Sequence, residues 1–191
     1  MIISHSQKFI FIHVQRTGGS TMINLLKKQL SDKVEVISQH GNAKSSESYL
    51  LENHKDYYTF GFVRNPWDRI LSWYLLINKN DQKSLAEEKI RFEKFLDLDH
   101  SAAPGDQDFH YNQLDYFSDH NGKLYTNKIY RFEDYEKEIN SLFTDLDLPM
   151  IDIPQMNKTR SKNYRDYYTS KSRQMIALKC QMDIEYFCYE F

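Results

Sequence analysis

Residues 8–21 read Lys8-Phe9-Ile10-Phe11-Ile12-His13-Val14-Gln15-Arg16-Thr17-Gly18-Gly19-Ser20-Thr21. Residues 8–14 are apolar on both faces and rich in β-branched and aromatic side chains, which predicts a central strand of a mostly parallel sheet. The residues after them include Gly18 and Gly19 and lead into apolar positions at helical spacing: Met22, Leu25, Leu26 and Leu30. The stretch therefore predicts a strand, a glycine-containing loop and a helix in succession.

The alternation of strands and helices continues along the chain. Apolar patterns predict strands at residues 34–37, 57–63 and 128–132, and helices at residues 45–54, 66–77, 90–98, 133–146 and 170–187. Residues 99–122 are polar and predict a loop with one short helix. This order predicts an α/β fold in which helices flank a central parallel sheet like that of P-loop proteins. Because the sequence contains no repeat or linker, one domain over residues 1–191 is expected.

Composition narrows the class of protein. Charged residues make up 27% and aromatic residues 15% of the 191 residues, which excludes a disordered chain. A net charge of −2 argues against a general nucleic-acid binder. No apolar run approaches the roughly 20 residues of a membrane span, and residues 1–5 lack the features of a secretory signal. A cytoplasmic location is therefore expected, with Cys180 and Cys188 reduced and structural.

The glycine-containing loop has the features of an anion site. A loop at a helix N-terminus presents backbone N–H groups and the positive end of the helix dipole. Gly18 and Gly19 let an anion approach the backbone closely, and Arg16 adds a fixed positive charge. The Walker pattern of nucleoside triphosphatases is absent because the basic residue precedes the glycines, which disfavours that class. An ordinary strand-to-helix turn is the alternative.

A second candidate anion site lies in residues 62–74, which read Phe62-Val63-Arg64-Asn65-Pro66-Trp67-Asp68-Arg69-Ile70-Leu71-Ser72-Trp73-Tyr74. Arg64 follows a predicted strand, at the edge of the sheet where the glycine-containing loop is expected. Ser72 lies about two turns into the next helix, so the two side chains could clamp an anion from two sides. The alternative is that Arg64 pairs with a carboxylate and Ser72 faces solvent.

Together these elements resemble the sulfotransferases that use 3'-phosphoadenylyl sulfate (PAPS). Residues 11–21 look most like the carbohydrate branch, which includes heparan-sulfate 6-O-sulfotransferases and bacterial relatives, and residues 62–74, 130–134 and 183–191 extend the resemblance. The resemblance implies that Arg64 and Ser72 bind the 3'-phosphate. It also implies that the 5'-phosphosulfate is cradled by Arg16, Thr17, Gly18, Gly19, Ser20 and Thr21. PAPS would be the donor, adenosine 3',5'-bisphosphate (PAP) the product and a saccharide hydroxyl the acceptor.

Sulfuryl transfer to an alcohol needs a base for the hydroxyl and positive charge near the departing phosphate, and it needs no metal if the protein supplies both. His40 is the candidate base, because it lies in a turn between the two anion motifs where the resembled family carries a histidine base. A surface-loop histidine is the alternative, and His13 is interpreted as structural. Arg16 would supply the charge. The family usually has lysine at this position, and since arginine does not release a proton, only an electrostatic role is carried over.

A later basic stretch, Asn157-Lys158-Thr159-Arg160-Ser161-Lys162, offers further candidates. In the resembled family a late loop covers the 3'-phosphate and the base, which makes Lys158 and Arg160 candidate nucleotide contacts. A solvated run of charges explains the same residues equally well. Two other functions stay open from the sequence: a P-loop kinase or nucleotide hydrolase, and a non-catalytic domain that binds anionic glycans.

Overall fold

Strands and helices alternate along the described part of the chain. The computed structural model describes residues 1–81, 83–98, 109–150 and 163–191. Strands β1 to β5 are Ile2–Ser4, Phe9–Ile12, Glu35–Val36, Tyr58–Val63 and Lys128–Arg131. Helices α1 to α8 are Gly19–Leu30, Tyr49–Asn53, Pro66–Ile77, Leu85–Asp97, Leu114–Phe117, Tyr135–Asp145, Ser170–Lys179 and Gln181–Phe187.

The described strands form one sheet in the order β3-β1-β2-β4-β5. Strand β2 is parallel to β4, and β4 is parallel to β5, whereas β1 is antiparallel to both of its neighbours. The predicted α/β fold with a mostly parallel sheet is thus confirmed. Strand β1 was not predicted, because Ile2-Ile3-Ser4 is too short to show a periodicity of its own. The strand predicted at residues 34–37 is reduced to Glu35–Val36 at the edge of the sheet.

The parallel register brings three chain segments to one edge of the sheet. Ile12 of β2 pairs with Gly61 of β4, and Val63 of β4 pairs with Arg131 of β5. Since the carboxyl ends of parallel strands meet at one edge, the segments that leave β2, β4 and β5 emerge side by side. The glycine-containing loop, Arg64 and the residues after Arg131 are therefore neighbours.

Aromatic side chains cover one face of this sheet. Phe9, Phe11, Phe60 and Phe62 are fully buried. The rings of Phe11 and Phe60 stack with centroids 5.1 Å apart, and Phe62 stacks on Tyr130 at 5.2 Å. Residues two apart along a strand share a face, so these rings form a continuous layer across β2, β4 and β5. The three strands that lead to this edge of the sheet are therefore held together by one layer of packed rings.

The chain divides into two compact units. The first comprises Met1–Arg64 and Gln113–Gln155 and contains the whole sheet. The second comprises Asn65–Asn112 and Met156–Phe191 and is helical in its described residues. Within the second unit Arg69 is fully buried and donates to the backbone oxygens of Tyr111 (3.0 Å) and His110 (2.9 Å). One domain over residues 1–191 stays a prediction.

Two predicted helices differ from the observed ones. The helix expected at residues 90–98 begins at Leu85, because Ser84 and Glu87 form a capping box there. The helix expected at residues 170–187 is interrupted at Cys180, whose backbone leaves the helical region (φ −113°, ψ 27°). The Cys180 thiol is buried against the backbone oxygen of Tyr111, a tertiary contact that apolar spacing does not encode. Both cysteines are free thiols.

Candidate active site

The loop between β2 and α1 carries an unusual backbone. Arg16 and Gly18 have positive φ angles of 68° and 81°, and α1 begins directly afterwards at Gly19. Such alternation of backbone conformation next to a helix N-terminus makes a concavity of N–H groups that suits an anion. The Thr17 hydroxyl donates to the backbone oxygen of Val14 at 2.8 Å, so its proton is used inside the loop. Ser20 is exposed on the first turn of α1.

The two glycines of the loop lie against aromatic rings. A Cβ atom at Gly19 would lie 1.8 Å from the ring of His13, and one at Gly18 would lie 2.8 Å from the ring of Tyr135. Real Cβ atoms do not approach other atoms this closely, and Gly18 also has a positive φ angle that favours glycine. The sequence predicts that these glycines admit a phosphate. In the structure, the missing side chains of Gly18 and Gly19 also leave room for the rings of Tyr135 and His13, which pack against the loop.

Arg64 follows the last residue of β4, and its side chain contacts the glycine-containing loop. Its Nη1 atom donates to the backbone oxygen of Arg16 at 3.1 Å, and its guanidinium lies 4.5 Å from the centre of the Phe132 ring. The backbone N–H and C=O of Arg64 both bond to the side-chain amide of buried Gln113, each at 2.8 Å. The two arginines that the sequence singled out are thus adjacent. The bond places the charged guanidinium of Arg64 beside the backbone of the glycine-containing loop.

A pair of histidines lies beside the loop. The Nδ1 atom of His40 is 3.3 Å from the backbone oxygen of His13, and Nδ1 of His13 is 3.1 Å from the backbone oxygen of Gln39. The ring centroids are 4.6 Å apart. Because a carbonyl oxygen can only accept a hydrogen bond, each neutral ring carries its proton on Nδ1. A neutral imidazole that donates from Nδ1 has its lone pair on Nε2.

The two histidines differ in burial. His13 is 4% exposed, and its pKa is lowered to about 3, first by burial and then by the charge of neighbouring His40. It is neutral at physiological pH. His40 is half-buried, and its turn is fixed by the backbone N–H of Gly41, which donates to Ser38 Oγ at 2.6 Å. Of the pair, His40 is therefore the more exposed to solvent.

Ser72, Lys158 and Arg160 are the remaining predicted site residues. Ser72 belongs to the second unit and is buried on α3. Lys158 and Arg160 lie outside the described residues. Within the described ranges no group of three or more histidine, cysteine, aspartate or glutamate side chains could hold a metal ion. No helix among these residues is long and apolar enough to cross a membrane.

Sequence reasoning did not single out three side chains that shape this edge. Gln113 holds the backbone of Arg64, Phe132 underlies its guanidinium, and Tyr135 contacts Gly18. The sequence could have indicated Phe132, since Tyr130-Arg131-Phe132-Glu133-Asp134 is one of the motifs that carry the resemblance. Gln113 carries no local signal, because its role depends on which strand it packs against.

The fold is that of an α/β protein with a loop suited to an anion at the N-terminus of α1. A model of the sulfotransferase family matches residues 1–190, and the chain belongs to this family. The family assignment agrees with the resemblance found in the sequence and supports a sulfuryl-transfer enzyme. No curated protein and no solved structure matches the chain.

Proposed function

We propose that this sulfotransferase transfers the sulfuryl group of PAPS to a hydroxyl group of a saccharide, with His40 as the base and PAP as the product. The observation that carries the proposal is the close grouping of the α1 N-terminus, Arg16, Arg64 and His40 at one edge of the sheet. The grouping combines cations and backbone donors for an anionic nucleotide with a base of suitable tautomer.

The donor set fits PAPS in its chemistry. The N–H groups at the start of α1, the hydroxyls of Ser20 and Thr21 and the guanidinium of Arg16 favour the 5'-phosphosulfate. Arg64, whose guanidinium lies beside the loop, is proposed to bind the 3'-phosphate, as the resemblance implies. When bound, PAPS supplies the sulfuryl group. Ser72, Lys158 and Arg160 stay predictions.

The residues of the chain would then act as follows. Arg16 and the helix dipole stabilise negative charge that develops on the departing phosphate, and this role needs no proton from arginine. His40 accepts the proton of the acceptor hydroxyl on Nε2, while its Nδ1–H stays bonded to the backbone oxygen of His13. A saccharide acceptor is proposed from the likeness of residues 11–21 to the carbohydrate branch.

The test is a transfer assay with a sulfur-labelled PAPS donor and a panel of saccharide and phenolic acceptors. A binding panel with PAP, AMP, ATP with Mg²⁺ and sulfated oligosaccharides accompanies it. Label transfer to a saccharide together with tight PAP binding supports the proposal. Preference for ATP with Mg²⁺ would indicate a kinase or nucleotide hydrolase, and oligosaccharide binding without turnover would indicate a glycan-binding domain.

A further inference from the structure

The backbone oxygen of Gly18 accepts two hydrogen bonds. The N–H of Met22 donates to it at 3.1 Å, as the helix geometry of α1 requires. The hydroxyl of Tyr135 donates to it at 2.6 Å. A carbonyl oxygen has two lone pairs, so these two donors use its full capacity. The second donor comes from a residue 117 positions away in sequence, at the start of α6.

Holding this oxygen has a consequence for the neighbouring N–H group. A peptide unit is planar and trans, so an oxygen fixed on one side fixes the N–H direction of the next residue on the other side. The Tyr135 bond therefore orients the N–H of Gly19, the first residue of α1. The Arg64 bond to the oxygen of Arg16 orients the N–H of Thr17 in the same way.

The Tyr135 side chain is well suited to this task. It is 6% exposed and its ring packs on the rings of Phe132 (5.1 Å) and Phe62 (5.0 Å). Burial raises the pKa of Tyr135, so the hydroxyl keeps its proton and remains a donor. A Cβ atom at Gly18 would collide with this ring, so the loop and the ring leave no space between them for a side chain.

We infer that the Tyr135 hydroxyl is a positioning group for the 5'-phosphosulfate loop. It holds the Gly18 peptide so that the N–H groups at the start of α1 face the ligand before the ligand arrives. Tyr135 does not touch the nucleotide in this arrangement, because its proton is donated to Gly18. The inference rests on the proposed function, since it assigns the loop to the 5' end of PAPS. Preorganised donors gain affinity because no ordering is needed on binding.

The experiment compares Tyr135→Phe with Tyr130→Phe. Tyr130 is a matched control: it is 1% exposed, and its hydroxyl bonds to Asp145 at 2.6 Å. Asp145 is at the far end of α6, about 15 Å along the helix from Tyr135. Affinities for PAP, adenosine 5'-phosphosulfate and adenosine 3'-phosphate are measured for both variants and for the wild type, by calorimetry or by competition with PAP. Thermal midpoints without ligand are recorded on the same preparations.

The expected result is selective for the 5' end of the nucleotide. Tyr135→Phe should bind PAP and adenosine 5'-phosphosulfate about three- to tenfold more weakly, by the same factor for each, since one orienting hydrogen bond is lost. Its affinity for adenosine 3'-phosphate should equal that of the wild type. Tyr130→Phe should bind all three ligands like the wild type.

Other outcomes overturn the inference. It fails if Tyr135→Phe binds PAP normally, or if affinity for adenosine 3'-phosphate falls by the same factor, because the hydroxyl would then serve only the fold. It fails equally if Tyr130→Phe weakens PAP binding as much. A wild type that binds no PAP overturns the proposed function and this inference with it, so failure of the inference alone is recognised by normal wild-type binding.

Discussion

The Nδ1 atom of His40 lies 3.3 Å from the backbone oxygen of His13, the residue whose ring packs against Gly19 at the start of α1. This bond connects the candidate base to the anion loop through a single residue. It fixes both the tautomer of His40 and the position of its ring relative to the loop. The relationship underlies the first prediction.

Replacing His40 by alanine should lower turnover by about 10²- to 10⁴-fold, the usual contribution of a positioned general base. PAP affinity should stay nearly unchanged, because His40 donates nothing to the phosphates in the proposed arrangement. Both quantities are measured on one preparation, by label transfer and by calorimetry. His5→Ala is the control, since His5 is an exposed histidine bonded to Tyr57. Unimpaired transfer by His40→Ala would assign the base role to another residue.

The nucleotide should be recognised through its 3'-phosphate. The wild type is expected to bind PAP more tightly than AMP, and Arg64→Ala should weaken PAP binding about ten- to a hundredfold, since a charge-assisted contact is lost. AMP binding should fall less, through the lost bond between Arg64 and the oxygen of Arg16. Arg91→Ala, which removes an arginine paired with Asp81 at 3.0 Å, is the control. Equal wild-type affinity for PAP and AMP would contradict a 3'-phosphate site.

Gly19→Ala should destabilise the fold by about 1–3 kcal/mol, the usual cost of overpacking. The reason is the 1.8 Å distance between the added Cβ and the His13 ring. Urea unfolding measures the change in the free energy of unfolding. The double variant His13→Ala with Gly19→Ala should recover part of the loss, because the ring that collides is gone. If the loss in the double variant equals the sum of the losses in the two single variants, the His13 ring is not the cause.

The free energy of unfolding should decrease as the pH falls, because His13 is buried in its neutral form. Its pKa is lowered to about 3 in the folded protein, against about 6.5 when unfolded. Between these values the unfolded state binds a proton that the folded state does not, so stability is complete above pH 6.5 and falls as the pH drops toward 3. Relative to its value well above pH 6.5, the free energy of unfolding at pH 5 should be lower by about 2 kcal/mol.

Urea unfolding at several pH values measures this slope. His13→Gln removes the titrating group and should flatten the dependence in that window by about the same amount. His54→Gln is the comparison variant, since His54 is half-buried and bonds to the backbone oxygen of Leu50. An unchanged slope in His13→Gln would show that other groups cause the acid sensitivity.

Much of the fold follows from local patterns. The run from Phe9 to Ile12 is buried on both faces and forms the predicted central strand. Asn65 caps α3 by accepting from the backbone N–H of Trp67 at 3.1 Å, and Pro66 follows in the first turn; both are local signals of the helix start predicted at residue 66. The interruption at Cys180 was not predictable in this way, because the thiol contacts Tyr111, which lies 69 positions away in sequence. The strand Ile2–Ser4 was not predictable because three residues are too few to show a periodicity.

What the sequence alone determined is the order strand, glycine-containing loop and helix, together with the family and the candidates Arg16, Arg64 and His40. Residue type, apolar spacing and turn chemistry act within a few residues, so these features are visible in a single sequence. Only the tertiary structure decided that Arg64 holds the oxygen of Arg16 and that Tyr135 holds the oxygen of Gly18. Those contacts depend on strand order and on the parallel register of β2, β4 and β5, which bring together residues 48 and 117 positions apart. No local pattern encodes that register, because it is selected by packing of the whole sheet.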